Sequence, residues 1–142
     1  MSRHITRSSE QTEALGAELA ATLAPGDIVL ISGELGAGKT TFVRGAARAL
    51  GVRGPVTSPT FTIGQRHPAD HPLSAVTHLD LYRIKTLADE DPDLLTDYLG
   101  EDVIAFIEWP AVGEAELTAL GAIAHRVTIS HAGADRRTLE VD

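Results

Sequence analysis

Cysteine is absent from this 142-residue chain, which removes disulfides, thiolate nucleophiles and cysteine-ligated zinc together and fits a reducing compartment. Long apolar runs are absent as well. The longest clean one, Val103 to Ile107, is far too short to span a bilayer, and the opening "MSRHITRSSEQTE" has no apolar core of signal-peptide length. The expectation is a soluble cytoplasmic protein with no membrane partner. Also missing is the excess of positive charge by which a general nucleic-acid binder displaces counterions: the net charge is −8.

That charge is unevenly spread. Residues 1–34 carry two basic and five acidic side chains, residues 35–69 five basic and none acidic, and residues 70–142 five basic and fifteen acidic. The one positive segment holds Lys39, Arg44, Arg48, Arg53 and Arg66, so an anion belongs there. Arg44 and Arg48 are four apart, and a solvated helix face is an equal reading for those two. The length fits one domain, residues 1–142, able to bury roughly 70% of its unfolded surface in a single core.

Helix and strand patterns alternate. Ser8 to Leu23 places Leu15, Leu19 and Leu23 on one face, with Ser8 and Gln11 spaced as a capping box, and Pro25-Gly26 breaks it. Ile28 to Ser32 reads as a strand, and Lys39 to Leu50 as an alanine-rich helix stopped by Gly51. Phe61 to Arg66 and Thr77 to Leu81 read as strands around the loop "HPADHPLS". Asp91-Pro92 opens a short helix closed by Gly100. Val103 to Ile107 is the pattern of a strand buried on both faces of a mainly parallel sheet. Arg126 to Ser130 and Thr138 to Val141 suggest a C-terminal strand pair. The expected fold is α/β, a mainly parallel central sheet flanked by helices.

Between the first strand and the alanine-rich helix lies "GELGAGKTTF", three glycines, one lysine and two threonines in ten residues. Gly33, Gly38, Lys39 and Thr40 satisfy G-x-x-x-x-G-K-[ST], with an apolar strand before and a helix after, the context a P-loop requires. A random chain of this length contains the string about once in a hundred, so coincidence is a poor account. Gly33, Gly36, Ala37, Gly38, Lys39, Thr40 and Thr41 form the cradle. Its backbone N–H groups and the helix N-terminus face phosphate oxygens, Lys39 faces the β- and γ-phosphates, and Thr40 ligates Mg²⁺. Guanine-specific P-loop proteins typically read their base with Asn-Lys-x-Asp. The two lysines of this chain, Lys39 and Lys85, stand in "GKT" and "RIKTL", so ATP is the nucleotide left by exclusion.

Magnesium also calls for an acid at the end of a neighbouring buried strand. "VIAFIEWP" resembles a Walker B strand, with Glu108 to hold the metal shell or polarise the attacking water; a carboxylate that merely ends a strand at the surface is the plainer reading. Trp109 follows, suited to the core or to a partner surface. "TSPTF" sets three hydroxyls around Pro59, and "HLDLYR" puts His78, Asp80 and Tyr82 on one strand face. Taken alone, each of these stretches reads as structural before catalytic. His67 and His71 have no metal-ligand partners at useful spacing and receive no role.

"GELGAGKTTF", "SPTF", "HLDLYR" and "IEWP", in that order and at these separations, resemble the TsaE (YjeE) family, the small P-loop ATPase of bacterial tRNA threonylcarbamoyladenosine synthesis. The match runs from "EQT…LG" to about Pro110. The resemblance implies an ATPase working with the two other proteins of the complex, of TsaB and TsaD type, that attaches threonylcarbamoyl to adenosine 37 of tRNAs reading ANN codons. It implies that Thr40 and Glu108 hold Mg²⁺ and that "SPTF" and "HLDLYR" sense the γ-phosphate, chiefly through Thr60 and Asp80. By the same resemblance the base lies between the N-terminal segment and the late hairpin, at Ser9 and Arg136. The chain departs from the family where the segment before "HLDLYR" is rich in proline and histidine, and again after Pro110. A protein of charge −8 meets protein partners and touches tRNA only indirectly. Two other readings stay open from the residues: a small-molecule kinase using the same cradle, and an assembly module in which ATP occupancy alone matters.

Overall fold

A computed structural model describes residues 2–34, 36–57, 64–81, 93–108, 117–119 and 121–142. Its seven strands form one sheet: β1 (Ser2–Thr6), β2 (Asp27–Gly33), β3 (Gly64–Pro68), β4 (Ala75–Asp80), β5 (Val103–Glu108), β6 (Ala122–His131) and β7 (Arg137–Val141). The spatial order is β1-β7-β6-β2-β5-β4-β3. The interior pairings β6/β2, β2/β5 and β5/β4 are parallel. The outer pairings β1/β7, β7/β6 and β4/β3 are antiparallel. Helices α1 (Ser9–Ala20), α2 (Lys39–Ala49) and the single turn α3 (Asp93–Thr96) complete the described elements.

Burial follows the strand period of two. Val29, Ile31, Ile104, Phe106, Val127 and Ile129 pack under α1 and α2, while Ile28, Leu30, Ala105, Ile107 and Leu79 pack on the opposite face with Leu95, Leu99 and Leu117. Every residue of β5 is buried, as its unbroken apolar pattern requires of a strand covered on both sides. Helices α1 and α2 cross at very short range. A Cβ at Gly16 would collide with the Phe42 carbonyl, and one at Gly45 with the Glu13 backbone.

The capping box at Ser8 is present with a shift of one residue. Ser8 Oγ accepts from Gln11 N at 3.2 Å, and Gln11 Oε1 accepts from Arg7 N at 2.6 Å rather than from the cap's own N–H. The helix stops at Ala20, three residues before the expected Leu23. Thr22 N and Leu23 N bond back to Leu19 O and Ala20 O, tightening the last turn into i→i+3 bonds. The late pair is longer than its apolar cores suggested, running from Ala122 and ending at Val141. Strand β1 has no counterpart in the hydrophobic pattern. It is a polar edge strand paired with β7, and its Ile5 is 55% exposed. The expected strand start at Phe61 and helix start at Asp91-Pro92 lie outside the described residues.

Candidate nucleotide site

Parallel pairing brings the ends of three strands to one level. Ile31 of β2 stands opposite Glu108 of β5, and Asp80 of β4 stands opposite the same Glu108. The glycine-rich loop leaves β2 two residues later. The loop and both carboxylates therefore share the carboxyl edge of the sheet, where open α/β sheets bind their ligands.

The loop enters α2 through Gly38, the N-cap, whose φ of 106° and ψ of 18° fall in the left-handed region that glycine adopts without strain. No side chain caps the first turn and no acidic residue occupies it, so the amides and dipole of α2 suit an anion. Lys39 is buried, 6% exposed. Its Nζ donates to Gly33 O at 2.7 Å and to Glu34 O at 3.4 Å. Burial lowers the Lys39 pKa; the negative charges of Glu108 and, less strongly, Asp80 pull it back up. That coupling places both acids within electrostatic reach of the ammonium. Ala37 is buried in the loop, while Gly36 is exposed and Thr40 and Thr41 are half-buried at the helix start.

Glu108 is not a surface strand end. It is 2% exposed, and its Oε2 lies 3.1 Å from Nε2 of the fully buried His78. A Thr40 hydroxyl with the Glu108 and Asp80 carboxylates offers hard oxygen donors, the chemistry magnesium takes alongside phosphate and water. No group of three or more His, Asp and Glu side chains able to hold a metal by themselves occurs among the described residues. Thr60, Trp109, Tyr82 and Arg83 lie outside the described residues.

Beside the loop opens a cleft of about 280 Å³, lined by Arg7, Ser9, Gly38, Thr41, Asp135 and Arg137 among others. Ser9, the residue that the resemblance assigns to the base, is among its lining residues. Arg136 is exposed and does not line the cleft; its neighbours Asp135 and Arg137 do. A methyl group at Gly38 would stand 3.9 Å from Arg137 Nε, so this cation hangs over the cradle. Sequence reasoning passed over Arg7 and Arg137. The register pair Thr6↔Arg137 between β1 and β7 brings them together, a non-local pairing that leaves no local sequence signal.

The two arginines left undecided are structural. Arg44 donates to Val56 O and pairs with Glu13 at 3.5 Å, and Arg48 approaches Glu13 at 3.9 Å. Both tie α2 to its surroundings rather than facing phosphate.

A family profile described as "Threonylcarbamoyl adenosine biosynthesis protein TsaE" matches residues 6–139, well past the end of the four motifs. The chain is 47% identical over 104 residues to the tRNA threonylcarbamoyladenosine biosynthesis protein TsaE of Streptomyces coelicolor, covering 73% of this chain and 70% of that protein. It is 36% identical over 135 residues to the Bacillus subtilis protein of the same description, covering 94% and 80%. The crystal structure of Bacillus subtilis YdiB superposes with a TM-score of 0.65 at 30% identity, covering 97% of this chain and 82% of that one.

Proposed function

This chain belongs to the TsaE family of tRNA threonylcarbamoyladenosine biosynthesis, and on that premise we propose that it binds Mg·ATP in the cradle and hydrolyses it slowly. The cycle drives a multi-protein assembly with the TsaB- and TsaD-type proteins that modifies adenosine 37 of tRNAs reading ANN codons. The observation that carries this reading is the convergence of Lys39, Glu108 and Asp80 at the uncapped N-terminus of α2.

The parts divide the work. Amides at the start of α2 and the Lys39 ammonium neutralise the β- and γ-phosphate oxygens. Thr40 and Glu108 would hold Mg²⁺, which when bound would supply further neutralisation of phosphate charge. The carboxylate of Glu108 or Asp80 orients a water whose oxygen bonds to the γ-phosphorus as the bond to the bridging oxygen breaks, yielding ADP and phosphate. Thr60 and Asp80 sense the γ-phosphate. The cleft of Arg7, Ser9 and Arg137 takes the nucleoside side of the ligand, a role assigned by its position beside Gly38 and Thr41.

Calorimetric titration of Mg·ATP into the protein, followed by phosphate-release measurement, tests the reading. Saturable binding that Lys39→Ala weakens by roughly 10- to 100-fold, with slow release of phosphate, supports it. A folded protein that neither binds nor cleaves ATP refutes it.

A further inference from the structure

His78 is fully buried on β4, yet neither ring nitrogen makes a well-aligned hydrogen bond to a described residue. A buried imidazole in that condition is costly, and an aliphatic side chain of similar size would fill the slot without the cost. What the ring does have is a carboxylate: Nε2 lies 3.1 Å from Glu108 Oε2, with both side chains out of solvent. Backbone register sets the contact. His78 stands opposite Phe106 and Asp80 opposite Glu108, so His78 sits two residues behind the carboxylate's cross-strand neighbour on the same sheet face. The terminal torsion of glutamate is broad, and a small rotation aligns Oε2 with an Nε2–H donor.

We propose that His78 is a positioning residue for Glu108: its Nε2–H holds Oε2 and leaves Oε1 for the metal shell or the attacking water. The proposal rests on the role given to Glu108 above and deepens it. Groups that hydrogen-bond a metal-ligating carboxylate fix its orientation, and their loss typically costs about 10- to 100-fold in metal affinity or activity.

Geometry supplies the test. The side-chain amide of glutamine reaches the place of imidazole Nε2, whereas that of asparagine reaches only the place of Nδ1. Four variants are compared with the wild-type chain: His78→Gln, His78→Asn, Glu108→Ala and the pair His78→Asn with Glu108→Ala. Two readouts are taken, the single-turnover rate at saturating Mg·ATP and, by calorimetry, the Mg²⁺ concentration needed for tight ADP binding. The expected result for His78→Asn is a rate loss of about 10- to 100-fold and a raised Mg²⁺ requirement, with metal-free ADP affinity unchanged. His78→Gln stays within several-fold of wild type, and His78→Asn adds nothing once Glu108 is alanine. If His78→Asn does not fold, His78→Leu, which fills the slot without a polar atom, replaces it.

Equal losses in His78→Gln and His78→Asn, or a loss additive with Glu108→Ala, would assign the ring to packing and overturn the proposal. A wild-type response in His78→Asn while Glu108→Ala is impaired overturns it alone. A wild-type response in Glu108→Ala overturns the role given to Glu108 above and the positioning of it together.

Discussion

At Lys39 two effects oppose each other. Burial favours the neutral amine, while Glu108 and Asp80 favour the ammonium, and a triphosphate bound as proposed would add far more negative charge on the same side. Replacing Lys39 by alanine removes a charge-assisted contact of about 1.5–3 kcal/mol, so ATP affinity should fall by roughly 10- to 100-fold while the fold survives. Titration calorimetry beside a thermal melt checks this, and unchanged affinity in a folded variant contradicts it. Thr40 and Glu108 make a second prediction at this scale. If both serve one ion, Thr40→Ala and Glu108→Ala each slow Mg²⁺-dependent hydrolysis, and their combined loss is smaller than the sum. A double-mutant cycle in activation free energy decides, with simple additivity assigning Glu108 elsewhere.

Among the elements, the crossing of α1 and α2 depends on missing side chains. A methyl at Gly45 has no room against the Glu13 backbone, so Gly45→Ala should destabilise the protein by about 1–3 kcal/mol, the usual cost of overpacking, despite alanine's better helix propensity. A urea denaturation midpoint equal to wild type would show that the helices separate freely. The β3–β4 hairpin carries a pH dependence. His67 has its pKa below the usual histidine value of 6.5, through burial first and the nearby charge of His78 second. The unfolded chain therefore binds the proton more readily, and this contribution to stability is full above about pH 6.5 and declines as the pH falls toward the folded-state value. His67→Gln should flatten the acid side of the stability curve in that window, which chemical denaturation at a series of pH values measures. An unchanged curve would place the effect in another group.

These same elements show what the chain disclosed by itself. The interior was legible because its signals are local: the apolar run of β5, the apolar run of β2 followed by glycines, the Ser8 cap and Gly51. Glu108 could be named from its place at the end of a buried strand and Asp80 only through the family resemblance, and parallel register carries both to the loop. Strand β1 was not legible, because an edge strand held by ladder bonds needs no apolar face. Missing β1 meant missing two of the cleft's cations, for only the non-local β1/β7 pairing sets Arg7 beside Arg137. The hydrophobic pattern likewise said nothing of the Arg44–Glu13 tie, which depends on how two helices cross.

The whole molecule is acidic, at −8, apart from its cradle segment, and such a surface is a poor match for the tRNA backbone. That mismatch is why the function proposed above has the chain act on protein partners, with ATP as the driver. None of the described arginines but Arg7 and Arg137 lines the cleft beside the loop, and Arg44 and Arg48 are engaged elsewhere. The proposed slow turnover by the isolated protein rests on the precedent that positive charge at the leaving phosphate, when supplied in trans, contributes about 10³- to 10⁵-fold in other P-loop enzymes. The most direct measurement is single-turnover hydrolysis of saturating Mg·ATP by the protein alone and with its purified TsaB- and TsaD-type partners. The account predicts slow conversion to ADP and phosphate alone and a rate higher by orders of magnitude in the assembly; equal rates, or rapid phosphoryl transfer to a small acceptor without partners, would contradict it.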